Sequence, residues 1–310
     1  MDEFIFKRLT KESIIDLYWL FKSSSKARTS LKELQQKYNT DYTGISYIGY
    51  LVYDSDNKPA AFYGIIPTYV LIKGNKVLAA QAVDAITHPK HQRKGLFIKL
   101  ILKINELAKN EGIQFIFGFP NEKSFPVYIN KLNWLHIGNM QKFVCQVPML
   151  PFSQLFRRNE ILKSIYQLWV SFVIMFIKKS TGFENPNINS NNIGTLRDEC
   201  FFSYKNYNRK HIIIICGKKV WLKFDGTLKI GEIENSNNTE LSRIIKRLKL
   251  IAFITGIQKI QFQCNTESVY FPKFSSIASA KVSLPIIYFD LSGSYPSVKL
   301  AFSLADFDTF

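Results

Sequence analysis

"DAITHPKHQRKGLFIKL", Asp84 to Leu100, decides how the chain is read. Four cations (Lys90, Arg93, Lys94 and Lys99) and two histidines surround one glycine, between an apolar run and a helical pattern. After Gly95, the residues Leu96, Leu100, Ile104 and Leu107 recur on one face, and Gly112 closes the segment as a C-terminal cap. A helix start exposes four backbone amides without intrahelical partners and a partial positive charge, a natural seat for phosphate. Gly95 lets an anion approach those amides, since a side chain there would stand in between. Gln92, Arg93 and Lys94 lead into it, and Lys90, His91, Lys99 and Lys103 add longer-range attraction. The residues alone read as a phosphate cradle or as a basic turn that only caps a helix. The loop has neither GxxxxGK[ST] nor GxGxxG spacing.

Outward from this loop, strand and helix patterns alternate. Strands are expected at "EFIFKRL", "ISYIGYLVYD", "AAFYGIIPTYVLIKG", "NKVLAAQAVDAITHP", "IQFIFGFP" and "WLHIGNMQKFVCQVP"; helices are expected at "KESIIDLYWLFKSS", "SLKELQQKY" and "EKSFPVYINKLN". In the second half "HIIIICG" and "KKVWLKFDGTLKIGEIE" read as strands, "TELSRIIKRLKLIAFITG" as a helix and "IQKIQFQCN" as a strand. This repeats the earlier order. "GIQFIFGFPNEKS" begins at Gly112 and "GIQKIQFQCNTES" at Gly256, 144 positions later, with Asn121 matching Asn265 and Ser124 matching Ser268. Where the first copy has "HPKHQRKGLF" before its helix, the second has "ENSNNTE", so the anion site is expected once. The expected organisation is a domain over 1–148, a junction over 149–195 holding an apolar helix and an Asn- and Pro-rich loop, and a degenerate copy over 196–310.

The totals fit a chain with packed cores: 310 residues, 46% hydrophobic, 15% aromatic. The formal charge of +17 favours an anionic partner, though half of that weight goes to compositional bias towards lysine. Cys145, Cys200, Cys216 and Cys264 form no CxxC pair, so neither a zinc site nor a disulfide framework is indicated. "MDEFIFKRLT" is too polar for a signal peptide, which with the free cysteines predicts a cytoplasmic protein. "IYQLWVSFVIMFI", Ile165 to Ile177, is apolar over roughly 13 residues, whereas a spanning helix needs about 20. It reads as a buried helix between domains or, with Trp169 and flanking lysines, as a peripheral contact at the inner membrane surface.

"HPKHQRKGLFIKL" resembles the pyrophosphate-binding stretch of the GCN5-related N-acetyltransferases (GNAT), whose pattern is [QR]xxGx[GA] after the fourth strand. Gln92 and Gly95 fit; Phe97 stands where Gly or Ala is usual, as in a bacterial subset with surface-sugar functions that looks like "THPxxRxxGLFxKL" here. "GFPNEKSFPVYINKLNW" resembles a second family stretch, with Asn121, Ser124 and Tyr128 in place and Asn133-Trp134 standing for a Gly-Phe pair. The resemblance covers Met1 to about Pro148. It implies an α/β GNAT fold with a mixed sheet, a degenerate second GNAT-like domain, and acetyl-coenzyme A as co-substrate without a metal.

By that resemblance, Gln92, Arg93, Lys94, Gly95, Leu96 and Phe97 would hold the pyrophosphate. Main-chain groups of Ile86 and Thr87 would bond the pantetheine arm, and Asn121 and Ser124 would contact the coenzyme. Tyr128, protonated at neutral pH, would return a proton to the leaving thiolate. For the base, Asp84 ranks above His88, because Asp84 alternates with Ile86 on the coenzyme strand. The terminal carboxylate of Phe310 is a further candidate, since the tail "KLAFSLADFDTF" resembles that of multi-domain members that bring a chain end into the site. The implied acceptor is a small-molecule amine or hydroxyl, an amino sugar or polysaccharide precursor among them. Competing expectations are Fem-type aminoacyl transfer and a non-catalytic acyl-coenzyme A binder; nucleic-acid binding is least expected, as no recognition element emerges.

Overall fold

The computed structural model describes residues 4–24, 29–149, 159–182, 193–207, 210–296 and 298–310. The chain divides into two compact units. The first comprises Met1–Gly138, Ser203–Tyr207 and Pro285–Val298; the second comprises Asn139–Phe202, Asn208–Leu284 and Lys299–Phe310.

The first unit runs through β1 (Ile5–Arg8), α1 (Ile14–Ser24), α2 (Leu31–Tyr38), β2 (Gly49–Tyr53), β3 (Pro59–Ile72), β4 (Asn75–Thr87), α3 (Leu96–Asn110), β5 (Phe115–Gly118) and α4 (Phe125–Leu132) into β6 (Leu135–Gln146). β1 to β4 pair antiparallel in sequence order, and β4 pairs with β5 in parallel. β3 is buried along nearly its whole length because helices cover both faces. Tyr63 and Ile65 face the cluster built with Leu96, Leu100 and Ile104 of α3. Phe62 and Ile66, on the alternate positions, face Ile14, Leu17 and Leu20 of α1 and Leu34 of α2.

The second unit repeats that succession. After α5 (Glu160–Met175) come β7 (Lys179–Ser180), β8 (Gly194–Thr195), α6 (Glu199–Lys205), β9 (His211–Ile215), β10 (Lys218–Phe224), β11 (Leu228–Ile233), α7 (Asn238–Ile254), β12 (Lys259–Cys264), α8 (Phe271–Ser275) and β13 (Lys281–Asp290). β9, β10 and β11 pair antiparallel and β11 pairs with β12 in parallel, as β4 does with β5. Cys216 and Gly217, both at positive φ, make the two-residue turn between β9 and β10. The repeated register holds locally: Ser124 N–H donates to Asn121 O at 3.2 Å, and Ser268 N–H to Asn265 O at 3.2 Å.

The halves exchange their final strands. Ile287–Asp290 of β13 pairs antiparallel with Phe115–Gly118 in the first unit, while Gln141–Gln146 of β6 pairs antiparallel with β12 in the second. Neither β13 nor α6 was expected from local pattern. The expected linker helix belongs to the second unit, where Tyr166, Val170 and Ile174 pack into the core beside Leu241 and Ile245 of α7. Most of the Asn- and Pro-rich loop expected over 182–194 lies outside the described residues.

Candidate active site

The α3 start is set by backbone conformation. Arg93 and Gly95 both adopt positive φ, +64° and +73°, and Gly95 is the N-cap with no side chain bonded over the helix end. A Cβ at Gly95 would meet nothing within 4 Å, so the requirement for glycine is conformational and an approaching anion has room. Gln92, Arg93, Lys94 and Gly95 are exposed, whereas Leu96 is buried and anchors the helix. His91 is turned away: its Nε2 lies 3.2 Å from Asp54 Oδ2 and its ring meets Phe4 edge-on. Lys103 lies over the rings of Phe6 and Tyr50. The exposed stretch of the loop is therefore 92–95, with His91 fastening it.

β4 and β5 form three ladder pairs, the last Ala82 to Gly118. There the strands nearly touch, since a Cβ on Gly118 would come within 3.0 Å of the Ala82 Cβ. Beyond this point β5 ends, but β4 continues to Thr87 paired with β3, Phe62 opposite Ile86 and Ala61 opposite Thr87. A bulge between the Tyr63 and Gly64 pairs places Asp84 at φ +21°. Ile86 and Thr87 thus lie on the portion of β4 past the β5 ladder.

Tyr128 and Phe97, drawn from the two separate motifs, meet. Their rings lie 5.6 Å apart edge to face, and Phe97 makes the same kind of contact with Tyr63 at 6.1 Å. The Tyr128 hydroxyl donates to the Tyr63 hydroxyl at 3.0 Å, and both side chains are buried. Burial pushes both phenols well above their ordinary pKa, so Tyr128 holds its proton throughout the neutral range. The α4 end fixes Tyr128: Asn133 adopts the left-handed conformation at φ +55° and its N–H returns to Tyr128 O. Asn121 opens α4, its Oδ1 accepting from the amides of Lys123 and Ser124 at 3.0 Å and from the Ser124 hydroxyl at 3.2 Å.

Asp84 has company that the sequence did not reveal. Its Oδ2 accepts from Lys37 Nζ and from the Tyr38 hydroxyl, both at 2.7 Å. The Lys37 and Asp84 side chains are only 11% and 15% exposed, so the pair is shielded from water. A capping box between Ser30 and Glu33 fixes the start of α2, whose far end carries Lys37 and Tyr38. Tyr204 closes over this corner, its hydroxyl donating to Lys37 O at 2.7 Å and its ring stacking on Tyr42. His88, at the end of β4, has its pKa lowered by burial first and then by His91 and Lys90, so it is neutral at pH 7.

Phe310 belongs to the second unit. Its ring is buried against Trp221, and a Cβ on Gly231 would collide with it. The same tail carries Asp306, buried and 2.8 Å from Arg197, which also pairs with Glu232. Tyr63, Lys37, Tyr38 and Tyr204 were missed because they lie far along the chain from the motifs they meet. Among the described residues no group of three or more His, Cys, Asp or Glu could hold a metal ion.

Residues 6–136 match the family described as "Acetyltransferase (GNAT) domain". No curated protein matches the chain. Among the solved structures that share its fold are three from different bacteria. A conserved protein from Enterococcus faecalis V583 described as "Probable N-Acyltransferase" has a TM-score of 0.61 at 12% identity, covering 94% of this chain and 73% of its own. A GCN5-related N-acetyltransferase from Kribbella flavida has a TM-score of 0.59 at 13% identity over 94% and 72%. One from Anabaena variabilis has 0.52 at 13% identity over 93% and 73%.

Proposed function

We propose, from residues 6–136 being a GNAT acetyltransferase domain, that the first unit moves an acetyl group from acetyl-coenzyme A to an amine or hydroxyl of a small molecule by direct attack. The observation that carries this reading is the meeting of its two motifs, where an uncapped helix start at Gly95 leads through Phe97 to Tyr128. The exposed backbone of 92–95 fits a diphosphate, and Gln92, Arg93, Lys94 and Gly95 would hold it. Leu96 anchors the helix beneath, and Asn121 and Ser124 shape the turn that faces the coenzyme.

A thiolate leaving group needs a proton, and Tyr128 carries one in a buried pocket shared with Tyr63. An incoming ammonium must lose a proton before it attacks. We assign its acceptance to Asp84, reached through the Tyr38 hydroxyl that donates to it, with neutral His88 as the alternative acceptor. In the same reading Ile86 and Thr87 offer main-chain groups to the pantetheine arm, as an added strand would find them. The Phe310 carboxylate is not assigned a step. The acceptor class is taken to be amino sugars or surface-polysaccharide precursors, and the place of action the inside of the cell.

A second reading, an acyl-coenzyme A binder without turnover, is favoured by the burial of the Tyr128 hydroxyl against Tyr63. Calorimetry with acetyl-coenzyme A and release of coenzyme thiol over a panel of amino sugars separate the two. Binding with thiol release supports catalysis; binding alone across the panel selects the second reading, and no binding removes both. Tyr128→Phe should lower kcat about a hundredfold while leaving coenzyme affinity within about threefold. Because a proton donor is lost only as pH rises through its pKa, and burial raises that of Tyr128, turnover should show no alkaline fall below about pH 10. A fall near pH 8 would reassign the donor.

A further inference from the structure

The second unit displays an apolar face that its own core does not use. Helix α5 buries Tyr166, Val170 and Ile174, one residue per turn, and turns Leu168, Trp169, Phe172 and Phe176 outward, with Leu168 70% and Phe176 72% exposed. The outward aromatics are continuous: Trp169 stacks on Phe172 at 5.9 Å, and Phe172 meets Phe176 edge-on at 5.0 Å. The end of α7 joins the same face, because Trp169 Nε1 donates to Ile254 O at 3.1 Å and Phe253 and Ile254 are exposed beside it. Large apolar patches of this kind mark interaction surfaces, whereas single exposed hydrophobes do not.

Charge identifies the occupant. Segments 161–179 and 241–254 contain seven Lys and Arg and no Asp or Glu. Lys178 and Lys179 come two and three residues after Phe176 and are exposed. On α7 the exposed Lys246 and Lys249 precede Leu250 and Phe253 by four residues each, so cations and apolar groups share one helical face. A second copy of this chain would bring like charges together across an isologous contact. An anionic lipid surface neutralises them while its acyl boundary receives the aromatic side chains. With one face of α5 tied to the core, and no described helix long and apolar enough to cross a membrane, the helix lies along the surface.

We propose that the α5–α7 face docks this protein on an anionic phospholipid surface, Trp169, Phe172 and Phe176 entering the interface and the flanking lysines meeting lipid phosphates. This rests on the second unit alone and stands whether or not the first unit transfers acetyl groups. The test is flotation of the full chain with vesicles of phosphatidylcholine containing roughly one-third phosphatidylglycerol, against phosphatidylcholine alone. Binding to the anionic vesicles alone is expected. Lys178→Gln with Lys179→Gln should weaken it about tenfold, and high salt should weaken it further. Phe172→Glu with Phe176→Glu should abolish it, and circular dichroism of these variants checks the fold at two positions that are exposed to begin with. The proposal is overturned by equal binding to both vesicle types, by binding that survives the double glutamate variant, or by no binding to the anionic vesicles; in that last case a dimer that this variant dissociates would assign the face to a second copy.

Discussion

Helix α3 begins at a left-handed Gly95 over which no side chain bonds, whereas α7, at the matching point of the second half, begins at Asn237 with a complete capping box. Asn237 Oδ1 accepts from the Glu240 amide at 2.9 Å, and Glu240 returns to the Asn237 amide at 2.9 Å. The strands beside them differ in the same sense. β4 and β5 part after Ala82 and Gly118; β11 and β12 part after Ile230 and Phe262, and there the chain lays down its own tail. Ser303 bridges antiparallel to Cys264, Asn265 donates to Leu300 O and accepts from Phe302 N–H, and Phe310 covers Gly231. One framework thus has two finishes. In the second half protein groups satisfy the helix end and fill the parting strands, while in the first half no described side chain bonds over the helix end and β4 runs on past the β5 ladder.

Breaking the closed copy should have the largest effect. Phe310→Ala removes a fully buried ring and should cost about 3–5 kcal/mol, lowering Tm by roughly 10 °C in calorimetric melting. A change below about 1 kcal/mol would mean that the tail is a dispensable strap. Next comes the open copy: Gly95→Glu puts a carboxylate where the diphosphate should sit, on a backbone that disfavours side chains. Affinity for acetyl-coenzyme A should drop at least a hundredfold by titration calorimetry, about 2.7 kcal/mol. Unchanged affinity would move the coenzyme elsewhere and undo the contrast. Smallest is Asn237→Ala, expected to cost about 1 kcal/mol of stability with coenzyme binding untouched; a loss of coenzyme affinity there would show that the second helix start is also used.

How much of this could be read from residues alone depended on the range of the interaction. The 92–97 loop and α3 are governed by neighbours within a few positions, and their spacing announced them; the Asn121 turn is as local but was singled out by the resemblance. The meeting of Phe97 with Tyr128 was not read from the sequence, and the Tyr63 hydroxyl that completes it lies 65 positions from Tyr128, with no local mark. Lys37 likewise reaches Asp84 across 47 residues, from a helix whose sequence reads as an ordinary amphipathic surface. The tail's resemblance to chain ends that enter a catalytic site said nothing of its own packing. Its density of apolar groups in "KLAFSLADFDTF" gives it core positions in the second unit, where Phe302, Leu304, Ala305 and Phe310 are buried. β13 escaped notice because Pro285 interrupts its pattern and its partner β5 lies some 170 residues earlier.

That last pairing governs when the molecule can be finished. A ribosome releases the β5 segment long before residues 287–290, so the nascent first unit must wait for them with one flank of β5 unpaired. Fragments cut at the repeat boundary would each lack the strand that the other holds. Making the two halves as separate polypeptides should therefore yield sticky, aggregation-prone pieces, and co-expression should rescue them only by letting strands cross over.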